Sequence, residues 1–143
     1  MEKKEKVLVS ACLLGQCCAY DGGHRKSDAV CRLADRYELI PICPECMGGL
    51  PTPRLPSERV GERVLSKDGT DVTFAYTAGA KAALSLALIE GVAFAILKSK
   101  SPSCGKGEIY DGSFTHTLIP GNGVSAELLL SRGIPVYTEK EIE

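Results

Sequence analysis

The sequence carries almost no net charge and no long uninterrupted apolar run. Its 17 lysines and arginines against 18 aspartates and glutamates give a formal net charge of -1. This balance argues against nucleic-acid binding through bulk charge, because such binding needs many basic side chains to neutralise phosphates. The most apolar stretch, residues 82–97, is interrupted by Ser85, Glu90 and Gly91, so the sequence predicts no membrane span.

The sequence also shows no secretory signal, internal repeat or low-complexity tail. Residues 1–6 are charged and lead directly into a short apolar run, which is not the pattern of a signal peptide. We therefore expect a cytoplasmic protein whose residues 1–143 form a single domain, long enough for a real core. In a reducing compartment, an odd count of seven cysteines favours metal, cluster or catalytic thiols over a disulfide framework.

Short apolar runs alternate with helical patterns along the chain. The expected strands are residues 7–11, 38–42, 92–97 and 134–137, and the expected helices are residues 27–36, 72–90 and 124–131. The alternation predicts an α/β fold: a single Rossmann-like domain with a small, mostly parallel sheet of about four strands flanked by helices. The first strand is apolar on both faces and should be central, whereas Pro41 predicts an edge position for the second. A small hairpin is expected between residues 59–66 and 71–73, around Asp68-Gly69.

Three of these apolar runs each deliver a cysteine on a tight loop. Cys12 follows the first strand, Cys43 follows the second, and Cys104 lies in the Ser-Pro-Ser-Cys-Gly turn, residues 101–105, after the third. In an open parallel sheet, ligands bind in the crevice at the carboxyl ends of the strands. The sequence therefore predicts that these three cysteines meet at one site.

The cysteine spacing alone leaves three kinds of site open. Cys43-Pro44-Glu45-Cys46 has the C-x-x-C spacing of a redox dithiol, but the Gly and Pro residues at 48–51 predict a poor helix start. A zinc site would need a second close pair, and Cys17 and Cys18 are adjacent, which is the wrong spacing. The third kind is an iron–sulfur cluster held by cysteines from separate loops.

Three other candidate ligands are interpreted as structural or solvated side chains. His24 and His116 are single histidines on predicted loops, where we expect them to be solvated. Cys31 lies at helical spacing with Ala34, which favours packing over chemistry.

Several motifs, taken together, identify a family resemblance. Residues 9–15, 20–23, 43–50 and 101–105 resemble the motifs of the bacterial thiouracil desulfidase family, long catalogued as a domain of unknown function. The resemblance extends through residues 109–112 and 121–124 and so covers nearly the whole chain. Any one motif would be weak, but the set is specific.

The resemblance implies a [4Fe-4S] cluster bound by Cys12, Cys43 and Cys104, with Glu45 as a catalytic carboxylate and Ser101 beside the cluster. The implied reaction is non-redox desulfuration of a thiolated pyrimidine, thiouracil to uracil plus sulfide, with the substrate sulfur on the open iron of the cluster. Glu45 would then act as general base on water, and Ser101 would hydrogen-bond the substrate or relay a proton. The implied partner is a small thiolated base or nucleoside; a thiolated RNA stays open, and no feature indicates an oligomeric state.

The sequence departs from the family pattern at Ala19, where a basic residue is usual, and at the extra cysteines Cys17 and Cys46. These departures bear on the choice of substrate, and Cys46 offers an alternative ligand. The alternative function is a non-catalytic zinc-binding or thiol redox module that uses Cys43 and Cys46.

Overall fold

Strands and helices make up most of residues 4–142, the part of the chain that this computed structural model describes. The strands are β1 (Lys6–Ser10), β2 (Glu38–Ile42), β3 (Ser57–Val60), β4 (Arg63–Ser66), β5 (Phe94–Leu97), β6 (Glu108–Tyr110), β7 (Leu118–Pro120) and β8 (Val136–Thr138). The helices are α1 (Asp28–Arg32), α2 (Pro44–Met47), α3 (Thr73–Glu90) and α4 (Val124–Ser131). Short 3₁₀ turns span Ala11–Leu14, Leu33–Asp35 and Glu139–Glu141.

A four-stranded parallel sheet in the order β2-β1-β5-β8 forms the centre of the fold. This confirms the predicted α/β class, with a small parallel sheet flanked by helices. Strand β1 is central and buries Val7, Leu8 and Val9 completely, as expected for a strand covered on both faces. Pro41 lies in the edge strand β2, where its missing N–H costs no interior ladder bond.

The two faces of the sheet pack against different helices. On one face, Leu8, Ala95 and Leu97 pack with buried residues of α3 and α4. On the other face, Val7, Val9 and Ile96 pack with Leu13 and with Val30 of α1. Among residues 4–142, no helix combines the length and apolar character needed to cross a bilayer.

The helix ends follow the signals in the sequence. The Ser27 side chain accepts a hydrogen bond from the Val30 N–H at 3.3 Å and caps α1. Helix α3 ends at Gly91, whose φ of 66° is the left-handed conformation that glycine adopts most readily. Helix α4 spans the residues predicted for it.

Helix α2 was not expected: one helical turn forms after Cys43, because Pro44 at the first helical position needs no N–H partner there.

The hairpin predicted around Asp68-Gly69 forms in a short version, in which an antiparallel bridge pairs Leu65 with Asp71 and the Ser66 N–H donates to the Thr70 carbonyl at 2.8 Å. The run 59–66 was expected to be one strand, but a turn at Gly61, whose φ is 59°, divides it between β3 and β4, which pair with each other. A second small antiparallel pair, β6 with β7, lies beyond the central sheet. Both pairs are short, and runs of three or four residues give too few alternations to fix a register from sequence.

Helices α2 and α3 approach each other closely through two glycines. A Cβ atom added at Gly79 would overlap the carbonyl oxygen of Pro44, and one added at Gly48 would overlap that of Ala75. The two backbones therefore touch directly. This contact fixes the segment carrying Cys43 and Glu45 against the longest helix of the fold.

Candidate active site

A cavity of about 410 Å³ opens at the carboxyl edge of the parallel sheet. The five residues singled out from the sequence, Cys12, Cys43, Glu45, Ser101 and Cys104, all line it. They arrive on loops after three different strands, so the edge of the sheet brings together residues that are far apart in sequence. This is the position at which parallel sheets bind ligands.

Cys12 lies in a short 3₁₀ turn that follows β1 directly. The turn ends at Gly15, whose φ of 96° allows its N–H to bond back to the carbonyl of Cys12. The same carbonyl accepts the N–H of Arg25 at 2.9 Å. The backbone around Cys12 is thus held from both ends of its loop.

The loop carrying Cys104 is closed by Ser101. The Ser101 hydroxyl oxygen accepts the backbone N–H groups of Ser103 at 3.1 Å and Cys104 at 3.0 Å. The Ser101 carbonyl accepts the N–H of Gly105 at 2.8 Å. Ser101 is therefore both a turn residue and a cavity residue, and its own hydroxyl hydrogen stays available to donate.

The first turn of α4 anchors the same loop from behind. The N–H groups of Val124 and Ser125 donate to the carbonyls of Pro102 and Ser103 at 2.9 and 2.8 Å. The buried hydroxyls of Ser103 and Ser125 lie 2.9 Å apart. A Cβ atom at Gly123 would overlap the backbone of Ser103, so the helix can approach the loop only with glycine at that position.

Burial keeps the predicted ligand thiols neutral in the absence of a cation. It raises the pKa of the Cys12 thiol to about 11 and that of the Cys104 thiol to about 12, and it also raises the pKa of Cys43. A bound metal centre reverses this, because a coordinated thiol is deprotonated. Soft thiolates around a largely apolar cavity suit an iron–sulfur cluster. Among residues 4–142, no three Cys, His, Asp or Glu side chains are arranged to hold a single metal ion.

Cys18 is a cavity residue that the sequence analysis missed. It lines the same cavity as the three predicted ligands, and its carbonyl accepts the Cys43 thiol at 3.8 Å. A search for closely spaced pairs of cysteines gives no reason to select Cys18 as a site residue. The available signal was its place on the loop that starts at Cys12, since a loop that begins at the edge of the sheet can fold back over that edge.

The other three cysteines have different surroundings. The Cys46 sulfur lies 3.4 Å from the Thr52 hydroxyl, Cys17 is exposed, and the Cys31 thiol bonds to the Leu13 carbonyl at 3.7 Å.

Glu45 forms a largely buried ion pair with Arg54. Its Oε2 atom accepts Nε of Arg54 at 3.0 Å and Nη2 at 2.7 Å, and only 15% of the Glu45 side chain and 8% of the Arg54 side chain are exposed. Tyr76 lies beside the pair and is almost fully buried, and its pKa is raised first by burial and then by the Glu45 charge. Arg54 and Tyr76 were not predicted, because their contacts with Glu45 depend on how β3 and α3 pack.

The opposite rim of the cavity is a tethered loop between β6 and β7. The buried Glu58 carboxylate accepts the N–H groups of Gly112 at 2.9 Å and Phe114 at 3.1 Å. Phe114 and His116 have positive φ angles of 58° and 59°, and both line the cavity. His116 is exposed on this loop, as expected from sequence, and its ring packs edge-on against Tyr110.

His24 lies outside the cavity wall and accepts the N–H of Lys26 through Nδ1 at 3.1 Å.

Comparison with known proteins extends over nearly the whole chain. Residues 7–141 match the 2-thiouracil desulfurase family. The uncharacterized protein YbbK of Bacillus subtilis (strain 168) is 39% identical over 146 residues, covering 95% of this chain and 97% of that protein. A solved structure described as the [4Fe-4S]-dependent thiouracil desulfidase TudS is 46% identical, with a TM-score of 0.91 over 97% of this chain and 93% of that one. The matched residues include every loop that lines the cavity.

Proposed function

The chain belongs to the 2-thiouracil desulfurase family of enzymes, and we propose that it is a [4Fe-4S]-dependent desulfidase. Its reaction would convert a thiolated pyrimidine such as thiouracil to the oxygen analogue and sulfide. The observation that carries this proposal is the convergence of Cys12, Cys43, Cys104 and Glu45 on one cavity at the edge of the sheet. The similarity to a [4Fe-4S]-dependent thiouracil desulfidase supports it independently.

Cys12, Cys43 and Cys104 are the proposed cluster ligands. Each follows a core strand, and each belongs to a loop fixed by its own backbone or side-chain hydrogen bonds. A cluster held by these three thiolates would supply a Lewis-acidic iron with affinity for the substrate sulfur. The cavity volume of about 410 Å³ is within the range of ordinary ligand pockets.

Glu45 is the proposed general base. The carboxylate takes one proton from water as the water oxygen bonds to the thiocarbonyl carbon. The carbon–oxygen double bond then forms as the carbon–sulfur bond breaks with its electron pair on sulfur, and the second water proton leaves with the sulfide. Sulfur leaves as sulfide, so no electrons are exchanged with an outside donor. Ser101 donates its free hydroxyl hydrogen to the substrate, because its oxygen is already occupied by two backbone N–H groups.

The whole chain, residues 1–143, would act as one catalytic domain in the cytoplasm, on a small thiolated base or nucleoside. A reducing compartment suits the site, because its thiols must stay free to bind iron.

The first test measures sulfide release from 2-thiouracil by protein purified and reconstituted without oxygen. We expect turnover with the wild type, and in Glu45→Gln a rate lower by roughly two to four orders of magnitude, the usual contribution of general acid–base catalysis. The visible absorption of the cluster should be retained, since Glu45 is not a ligand. Glu62→Gln, an exposed glutamate in the β3–β4 turn, is the matched control.

Two results would contradict the proposal at different points. A wild-type protein that binds no iron–sulfur cluster would remove the function itself. A Glu45→Gln variant with a full cluster and near-normal turnover would remove only the assignment of the base.

A further inference from the structure

Every hydrogen-bond donor of Arg54 is already used within the protein. A guanidinium has five N–H donors. Nε and one Nη2 donor bind Glu45 Oε2 at 3.0 and 2.7 Å, and Nη2 also binds the Cys18 carbonyl at 3.1 Å. The two donors of Nη1 bind the Pro51 carbonyl at 3.1 Å and the Thr52 hydroxyl at 3.0 Å. With all five donors occupied, Arg54 has none left for a substrate.

The guanidinium holds only one of the two carboxylate oxygens of Glu45. Both of its bonds to Glu45 end on Oε2, so Oε1 lies outside the fork. The pair is largely removed from water, with 8% and 15% of the two side chains exposed. At such burial the charge-assisted bonds are strong and directional, so they set the rotation of the carboxylate.

Arg54 also joins Glu45 to the loop that begins at Cys12. The Arg54 N–H donates to the Tyr20 carbonyl at 2.7 Å, and its side chain reaches the Cys18 carbonyl. The loop after β1 and the helix after β2 are therefore connected through one side chain. Lysine could not do this, because its ammonium is a point charge with three donors and no planar fork.

We propose that Arg54 is the positioning residue for Glu45: it fixes Oε2 in the protein and leaves Oε1 to accept the proton from water. The inference rests on the proposed role of Glu45 as base. Arg54 lines the cavity, but all five of its guanidinium donors are occupied within the protein, so it acts through the orientation of Glu45.

The test compares Arg54→Lys with Arg59→Lys, alone and in the Glu45→Gln background. Arg59 is a matched control because its side chain is 12% exposed and also forms an ion pair, with Glu127. In Arg54→Lys we expect kcat to fall about 10- to 100-fold, because a misplaced group costs on that scale, while KM stays near the wild-type value. In Glu45→Gln, adding Arg54→Lys should lower kcat no further.

Two further measurements do not depend on turnover. Iron content and visible absorption of Arg54→Lys should equal those of the wild type, and a crystal structure of its cluster-free form should show the Glu45 carboxylate rotated or displaced. If Arg54→Lys folds poorly, Arg54→Ala with added guanidinium replaces it, and recovery of kcat by guanidinium is expected.

Any of several results would overturn the inference. The first is an unchanged kcat in Arg54→Lys. The second is a fall in kcat on adding Arg54→Lys that is as large in the Glu45→Gln background as in the wild type. The third is no recovery of kcat by guanidinium in a folded, cluster-loaded Arg54→Ala protein. Full activity of Glu45→Gln would instead refute the base assignment on which the inference rests, so the two failures are distinguishable.

Discussion

At the scale of single residues, Cys43 and Cys46 share one sequence motif but have different surroundings. Cys43 follows β2 and lines the cavity, whereas the Cys46 sulfur lies one helical turn further on, 3.4 Å from the Thr52 hydroxyl. The two cysteines differ in their surroundings because Cys43 lies directly at the end of a strand and Cys46 does not; the spacing between them does not show this difference. The two thiols can therefore be tested against each other in one short segment.

Cys43→Ala should abolish the visible absorption of the reconstituted protein, and Cys46→Ala should leave most of it intact. The reason is that only Cys43 is placed to contribute a thiolate to the cavity. Absorption spectra and iron content per chain, measured on both variants after identical anaerobic reconstitution, check this. Equal losses in the two variants would mean that the ligand set is chosen wrongly.

The candidate site is predictable from sequence where a residue's position follows from the end of a strand. Cys12, Cys43 and Cys104 could be placed in this way because the carboxyl ends of parallel strands share one edge. Arg54 could not, because its contact with Glu45 spans a loop whose path is set by packing rather than by local pattern. Cys18 lies between these two cases, because its place on the loop after Cys12 puts it near the edge of the sheet but does not fix which way it faces.

At the scale of elements, the contact between α2 and α3 controls where the Cys43–Glu45 segment lies. Gly79 sits in the middle of α3, where alanine would favour the helix by about 1 kcal/mol. Its Cβ would nevertheless overlap the Pro44 carbonyl, and a backbone atom cannot move aside as a flexible side chain can. The packing cost outweighs the gain in helix propensity.

Gly79→Ala is therefore expected to destabilise the protein by about 1–3 kcal/mol, the usual cost of overpacking, and to lower cluster content by displacing Cys43. Urea unfolding of the cluster-free protein and iron content after reconstitution measure the two effects. Ser85→Ala, at an exposed position of the same helix, is the control. A Gly79→Ala protein more stable than the wild type would show that α2 moves away without cost.

A second element-scale feature is the start of α3, where the carboxylate of Asp71 bonds to the first helical residue, Thr73. Its carboxylate accepts the Thr73 N–H at 2.9 Å and the Arg63 guanidinium at 2.9 Å. Bonds from Thr73, followed by Arg63, lower the pKa of Asp71 to about 2. Because the folded value is below the unfolded value of about 4, the contribution to stability is complete above pH 4 and is lost as the pH falls towards 2.

Asp71→Asn should therefore reduce the acid sensitivity of the fold. Urea midpoints of the cluster-free proteins at pH 5 and pH 3 should differ less in the variant than in the wild type, at low salt. Parallel pH dependences of the two proteins would mean that Asp71 is not coupled to folding.

The elements that could be predicted are those long enough to show a period. Helix α3, with 18 residues, can be recognised in the sequence by its composition and by Gly91 at its end. The apolar run of β5, which follows Gly91, is also recognisable. The one-turn helix α2 and the four-residue strands β3 and β4 do not, because a single turn or two alternations are indistinguishable from a loop.

At the scale of the whole molecule, the parallel sheet makes one site from residues that lie up to 92 positions apart, from Cys12 to Cys104. The sheet itself was predicted from the alternation of apolar runs and helical patterns, and its strand order β2-β1-β5-β8 places the three cysteine-bearing strands side by side. Each wall of the cavity comes from a different loop, so specificity can change at the β6–β7 rim without altering the strands that carry the thiols.

The anchoring of the Cys104 loop by α4 also has a consequence for biosynthesis. On the ribosome, all the thiols that line the cavity are synthesised before the N–H groups of Val124 and Ser125, which hold the carbonyls of Pro102 and Ser103. A nascent chain that stops short of α4 thus carries Cys104 on a loop that Ser101 closes but that lacks its anchor on α4. The cavity wall that contains Cys104 is therefore complete only after most of the chain has been synthesised.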